Sequence, residues 1–487
     1  MGPMLRITPG RPWPLFDVAA VRRIEQAAAA GLPPHALMQR AGLAVARLAL
    51  AVAPHARTVW IACGPGNNGG DGFEAAMHLR HWSKDAIVTF AGDPARMPED
   101  ARASLLRARD AGVRFATEPP PRWDLAIDAL LGIGSSRAAS GVLLEHIIRL
   151  NAGGSPVLSV DLPSALDADT GHAGDCVRAT HTLCLLALKP GLFTAQGRDA
   201  SGEVWLDALG VPAGDETPSA TLSSRPAGTP RLHATHKGSY GDVAVIGGAP
   251  GMAGAALLAA GAALHHGAGR VFAGLLDPAA PAHDALQPDL MLRAWDSLEL
   301  SGASVACGCG GGDAVRAALP KAMHARALVL DADALNAIAA DPQLQAQLQA
   351  RGRRQLPTVL TPHPLEAARL LGEETASVQA DRPACARELA QRFGAAVVLK
   401  GSGTVIAAPD GSVRINPTGN ARLAIAGTGD VLAGVVAARL AGGEDAFTAA
   451  TAAVYLHGLA ADQWPVDQPL TAAALVSRVP RTASWWP

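Results

Sequence analysis

From Val59 onward the chain alternates short β-branched runs with Ala- and Leu-rich stretches, and no other feature of its 487 residues constrains the fold as strongly. The runs VWIACG, AIVTFAG, LAIDALLG and VLSVDLPS read as short strands. They are separated by helical stretches such as Glu74 to Trp82 and Glu99 to Ala111. That rhythm means parallel strands with helical crossovers. Ahead of them, Phe16 to Ala51 reads as two helices broken at Gly31-Leu32-Pro33-Pro34. Between Val211 and His236 the pattern gives way to Pro, Ala, Gly, Ser and Thr, then restarts with VAVIGG, VFAGLL, SVACGCG, ALVLDADAL, TVLTPH and AVVLKG. The fold class expected is α/β, with two three-layer αβα domains at residues 1–215 and 231–487 and a linker at 216–230.

Composition narrows the function. With 49% hydrophobic residues the chain can bury sizeable cores, whereas a formal charge of −2 and 4% aromatic residues supply neither the basic nor the stacking surface that nucleic acid requires. Gly, Pro or a charge interrupts every apolar run before membrane-spanning length, and Met1 to Pro14 holds no apolar core with a cleavage site. A cytoplasmic protein with small-molecule partners is expected, with no nucleic acid and no membrane. Six scattered cysteines are expected to be free thiols, and Cys307-Gly308-Cys309 to be small buried residues in a tight turn rather than a metal site.

Two constellations carry chemistry. The first is Cys63-Gly64-Pro65-Gly66-Asn67-Asn68-Gly69-Gly70-Asp71-Gly72, read as a glycine-rich strand-to-helix turn and hence an anion site. Its amide and carboxylate oxygens exceed what a turn needs and can hold a hard cation or a ribose. Asp128, Asp161 and Ser164 follow later strands, so they share the carboxyl rim of the sheet with Asn68.

GPGNNGGDG, followed by DALLGIG and VDLPS at strand ends, resembles the NAD(P)H-hydrate epimerase family, the YjeF N-terminal domain, over about Leu15 to Val211. The resemblance implies a Rossmann-like first domain in which Asn67, Asn68, Gly69, Gly70 and Asp71 bind the hydrated dinucleotide. It further implies that Gly132, Ile133, Gly134, Ser135, Ser136, Arg137 and Ala138 cover its phosphates, that Asp161 acts at the reacting ring, and that Asn68, Asp128 and Ser164 hold a potassium ion. Ala165 stands where the family has Gly, and the added methyl is expected to restrict the backbone beside Ser164.

The second constellation is Gly427-Thr428-Gly429-Asp430, after Thr418-Gly419-Asn420 and before an apolar helical run. Glycines let backbone N–H groups approach a phosphate, the helix start favours its charge, and Asp430 can take a proton from a hydroxyl. Lys400-Gly401-Ser402-Gly403-Thr404 offers a cation and open amides between two strands, with a lysine-tipped hairpin as the competing explanation. His363 sits at a strand end before Pro364, and the small-residue helix from Ala253 would let a ligand approach Ala255, although helix packing explains its alanines equally well. HKGSYGDVAVIGG, VLDADALN, TPHPLEAARLL, LKGSGT and NPTGN…AGTGDVLAG resemble, in order, the ADP/ATP-dependent NAD(P)H-hydrate dehydratase family, whose fold is ribokinase-like. The resemblance implies that Lys400, Gly401, Ser402, Gly403, Thr404 and Gly429 bind the adenine nucleotide, and that Ala255, Gly310, His363 and Asp430 contact the hydrated cofactor. The chain departs from it at GCGGG, residues 308–312, where Gly-Pro-Gly-Leu-Gly is common, and at Ala421-Arg422 for Pro-Gly.

The activity implied is a bifunctional repair. One domain interconverts R- and S-NAD(P)HX, and the other uses ADP or ATP with Mg²⁺ to dehydrate S-NAD(P)HX through a phosphorylated intermediate, KGSGT favouring ADP. Asp430 and Asp161 are the catalytic residues, and the expected assembly is a homo-oligomer. The competing expectation is a ribokinase-like small-molecule kinase with a non-catalytic N-terminal scaffold domain.

Overall fold

In the computed structural model, which describes residues 3–134, 138–228 and 233–481, the strand Thr58–Cys63 sends its side chains to opposite faces. Val59, Ile61 and Cys63 pack with Val45, Phe73, Leu79 and Leu105, whereas Trp60 and Ala62 pack with Trp123, Ile147 and Leu150. One cluster draws on the helices Ala36–Val52, Asn67–His81 and Glu99–Asp110, and the other on Val142–Ala152. This is the expected three-layer arrangement, with every strand residue past Thr58 buried.

The chain forms two compact units, Met1–Thr8 with Trp13–Thr221 and Pro9–Pro12 with Leu222–Pro487. The stretch read as an irregular linker contains a short strand, Ala220–Leu222. In the first unit the strands lie in the order Leu5–Arg6, Glu203–Asp207, His181–Leu185, Val157–Val160, Leu125–Ala129, Thr58–Cys63, Asp85–Phe90 and Arg114–Ala116. All pairs are parallel except the first. The chain leaves Thr58–Cys63 toward one edge and returns to its other side at Leu125–Ala129. The crossovers put helices on both faces and leave a crevice where the two strands end.

The second unit repeats the plan with other residues. Asp242–Gly247 is flanked by Arg270–Leu275 on one side and Ser304–Cys307 on the other, and Ala327–Leu330, Thr358–Leu360 and Ala396–Leu399 continue in parallel. An antiparallel pair, Val405–Ala407 and Val413–Ile415, follows. The small-residue helix is explained by packing: a Cβ on Gly434 of Thr428–Ala441 would lie 2.0 Å from the carbonyl of Ala259 in Ala253–His265. Only small residues allow two helices that close. No helix among the described residues is long and apolar enough to cross a membrane, and all six cysteines are free thiols.

Candidate active sites

In the first unit the helix Asn67–His81 begins straight after Gly66, so Asn67 to Asp71 form its opening turns rather than a loop. That corrects the turn read from the sequence, and the glycines explain it. A Cβ on Gly69 would lie 1.9 Å from the Gly64 carbonyl, one on Gly70 would meet the Met38 sulfur at 2.5 Å, and one on Gly72 would meet Ala129 at 2.7 Å. These glycines let the helix start press against the crossing chain, and Gly69 and Gly70 are buried away from the cavity.

That cavity, about 600 Å³, is lined by Asn67, Asn68, Asp71, Gly132, Ile133, Gly134 and Asp161 from the sequence expectation. Ala138 is exposed outside it, and Ser135, Ser136 and Arg137 lie outside the described residues. Lys189, which sequence reasoning missed, is fully buried on the cavity wall and donates to Asp161 Oδ1 and to the Leu185 carbonyl at 3.0 Å. Burial alone would lower the Lys189 ammonium, but Asp161 holds it above its usual range. Asp71 is pushed well up by burial and then by Asp161 and Glu25. Asp161 itself sits at φ +68, a conformation non-glycine residues avoid.

Asn68, Asp128 and Ser164 do come together, around Leu131. Asn68 Nδ2 donates to the Leu131 carbonyl at 3.1 Å, the Leu131 amide donates to Ser164 Oγ at 2.8 Å, and Ser164 Oγ donates to Asp128 Oδ1 at 2.5 Å. The Ser164 amide and Ser159 Oγ also donate to Asp128, at 2.9 and 2.7 Å. Asp128 is fully buried with no cationic group among these partners, and burial raises it despite the hydrogen bonds. A buried carboxylate among neutral oxygens is a donor set that fits a hard cation such as potassium. The methyl of Ala165 does not restrict this backbone: Ala165 takes φ +70, as a glycine would, at a strain of about 1–2 kcal/mol.

In the second unit Lys400 is no solvent-facing hairpin tip. Its Nζ lies 2.8 Å from Asp331 Oδ1, which also accepts from Thr361 Oγ1 at 2.7 Å. A Cβ on Gly429 would lie 3.4 Å from Lys400 Nζ and 4.0 Å from Asp331 Oδ2, so the lysine reaches the start of Thr428–Ala441. Gly427, at φ +90, turns the chain into that helix without a side-chain cap, leaving its first amides open. Asp430, in the first turn, is pushed up to about 6 by burial and by Asp331, with Lys400 opposing. Gly401 and Ser402 are exposed, and buried Arg382 fixes their turn by donating to the carbonyls of Ser402 at 2.5 Å and Leu399 at 3.0 Å. Gly403 is buried, and Thr404 Oγ1 donates to the Gly401 carbonyl at 3.0 Å.

Cys309 is buried, as expected, but it is more than turn filling. Its Sγ lies 4.0 Å from Asp331 Oδ2, and Cys309, Asp331 and Asp430 present ligand atoms within 4.8 Å of one another. The two carboxylates suit Mg²⁺, whereas a thiol does not. Gly310, at φ +59, abuts Ala255, whose Cβ a Gly310 Cβ would meet at 2.9 Å. His363 caps the helix Pro364–Leu371, its Nδ1 accepting from the amides of Leu365 and Glu366 at 3.2 and 3.3 Å. Burial and Lys400 lower its imidazole, and burial pushes Glu366 beside it up to about 7. Asp331, Arg382 and Glu366 were not singled out from sequence. Asp331 alone left a signal, as an acid closing the strand in VLDADALN.

Comparison with known proteins adds to this geometry. Family models match residues 34–191 as YjeF-related protein N-terminus and residues 243–481 as NAD(P)H-hydrate dehydratase. The chain is 38% identical over 463 residues to the bifunctional NAD(P)H-hydrate repair enzyme Nnr of Escherichia coli (strain K12), covering 91% of this chain and 88% of that protein. It is 37% identical over 477 residues to the Nnr protein of Vibrio cholerae, covering 93% and 94%. Among solved structures, the ADP/ATP-dependent NAD(P)H-hydrate dehydratase from Bacillus subtilis, co-crystallised with ATP/Mg²⁺, is 34% identical and covers 52% of this chain and 92% of that one, with a TM-score of 0.46.

Proposed function

Since the chain belongs to the family of bifunctional NAD(P)H-hydrate repair enzymes, we propose that it restores hydrated NADH and NADPH, with an epimerase in the first unit and an ADP- or ATP-dependent dehydratase in the second. The observation that carries the reading is Asp430: a carboxyl raised to about 6, on the first turn of a helix whose amides are open, beside Lys400. Such a group is ionised at neutral pH yet basic enough to accept a proton.

In the second unit Asp430 deprotonates the ring hydroxyl of S-NAD(P)HX, and the alkoxide attacks the terminal phosphoryl group of the nucleotide. The carbon–oxygen bond of the phosphate ester then breaks, driven by the lone pair of the ring nitrogen, and a proton from the neighbouring ring carbon passes to the departing phosphate, which restores the ring double bond of the reduced cofactor. The helix-start amides and Gly429 receive the nucleotide phosphates, with the KGSGT turn held for them by Arg382. Mg²⁺, held by Asp331 and the nucleotide, would supply further charge neutralisation at the phosphates and leave Asp430 free as the base. His363, Gly310 and Ala255 border the hydrated ring.

In the first unit the cavity takes either epimer, Asp161, held by Lys189, acts at the hydroxyl-bearing carbon, and potassium held by Asn68, Asp128 and Ser164 would offset the buried charge of Asp128. The partners proposed are NADHX, NADPHX and ADP or ATP, in a cytoplasmic homo-oligomer. The test supplies S-NADHX with ADP or ATP and follows phosphate release against dihydronicotinamide absorbance. The two should rise together, and a stable phosphorylated product without recovered absorbance would mean a plain kinase.

A further inference from the structure

The cavity of the first unit holds a carboxyl that the reaction described so far does not use. Glu25, on the helix Val18–Ala30, lines the same cavity as Asp71, Asp161 and Lys189. That helix precedes residues 34–191, the part matched as YjeF-related N-terminus. The Glu25 side chain forms no hydrogen bond or ion pair among the described residues, although the charges of Asp161, Lys189, Arg22, Asp100 and Asp71 all reach it. A half-buried carboxyl that lacks a donor partner and shares a cavity with two other acids and a lysine is the kind of perturbed group that functional sites gather. Burial, followed by Asp161, raises it, so it keeps its proton to higher pH than a surface glutamate.

We propose that Glu25 is the second catalytic residue of the epimerase, a general acid working across the cavity from the base Asp161. The inference rests on the epimerase reading. Hydration of an enamine places the hydroxyl on the carbon bonded to nitrogen, so inverting that carbon requires breaking one of its bonds and remaking it from the other face. Asp161 takes the hydroxyl proton, and the oxygen electron pair forms a carbonyl. The carbon–nitrogen bond breaks, and its electron pair stays on nitrogen, which takes the proton of Glu25. The chain end rotates, and the steps run backward on the opposite face: Glu25 recovers its proton as nitrogen attacks the carbonyl, and Asp161 returns its proton to oxygen. Both carboxyls finish as they began, and Lys189 keeps Asp161 in place throughout.

The test measures R-to-S exchange of NADHX by the full chain across pH, with Glu25→Gln and Glu25→Asp beside it. Glu25→Gln should lower kcat by about 10²–10³-fold with KM little changed, and should remove the alkaline fall of the rate profile. Glu25→Asp, which keeps an acid, should recover part of the rate. Exchange by Glu25→Gln at the unmodified rate, or equal losses in both variants with the alkaline limb intact, would overturn the inference while leaving the epimerase reading standing. An unmodified chain that exchanges no faster than the spontaneous reaction would remove that reading, and this inference with it.

Discussion

Both units place a lysine at the carboxyl end of a sheet and pair it with one aspartate, yet the two pairs serve opposite ends. In the first, Lys189 is fully buried and its partner Asp161 lines the cavity, so the lysine holds the group that reacts. In the second, the partner Asp331 is the buried member, and the base is a third residue, Asp430, on a helix start. Opening and reclosing a ring at a carbon–nitrogen bond needs an acid and a base lining one cavity. Phosphoryl transfer needs a base beside open amides, with the cation restrained by a carboxylate. The same doubly wound scaffold supplies both because each crevice forms where the strand order reverses.

The sharpest way to separate the two sites is Asp430→Asn. Nucleotide-dependent recovery of NADH from S-NADHX should fall by about 10³-fold or more, with R-to-S exchange unchanged. An equal loss of both activities would mean the two sites are not independent.

The contrast between the lysines predicts unequal stability costs. Lys189→Met leaves Asp161 as an unpaired charge and should destabilise the first unit by about 3 kcal/mol in denaturant unfolding. Lys400, one-fifth exposed, should cost about 1–2 kcal/mol when changed to Met, because water can partly replace the lost partner. Equal costs would erase the distinction.

The pH dependence follows from Asp430. Its carboxyl must be ionised to act, and with a value of about 6 it gains its proton as the pH falls through that range. Dehydration should therefore hold near neutrality and drop about tenfold per unit well below pH 6, a limb that Asp430→Asn would lack. The smallest effect is expected at Ala165→Gly, where relief of the φ +70 strain less the entropy of glycine should stabilise the first unit by up to about 1 kcal/mol. A loss of stability there would mean that the methyl packs favourably.

These comparisons also show which parts of the sites could be read from sequence. The parallel sheets were legible because β-branched runs such as VWIACG alternate with helical stretches, and Asp430 was legible because glycines and a helical pattern surround it. Only half of each ion pair was found. Asp161 and Lys400 stand in recognisable strings, whereas Lys189 and Asp331 are single residues 28 and 69 positions from their partners. No local period encodes such a pair, because the fold alone brings its members together. The glycines of NNGGD read from sequence as an anion-binding turn because a Gly-rich string looks alike whether it admits a ligand or another backbone. Gly69, pressed against the Gly64 carbonyl, shows the second use.

The central claim is that one chain repairs both epimers. Its most direct test is to give the unmodified protein an equilibrium mixture of R- and S-NADHX with ADP or ATP and follow dihydronicotinamide absorbance to completion, with Asp161→Ala in parallel. The unmodified chain should convert the whole mixture promptly, while the variant should stop at the share present as the S epimer and continue only at the spontaneous rate. Full and equally fast conversion by Asp161→Ala would contradict the account, as would a plateau at the S share in the unmodified chain.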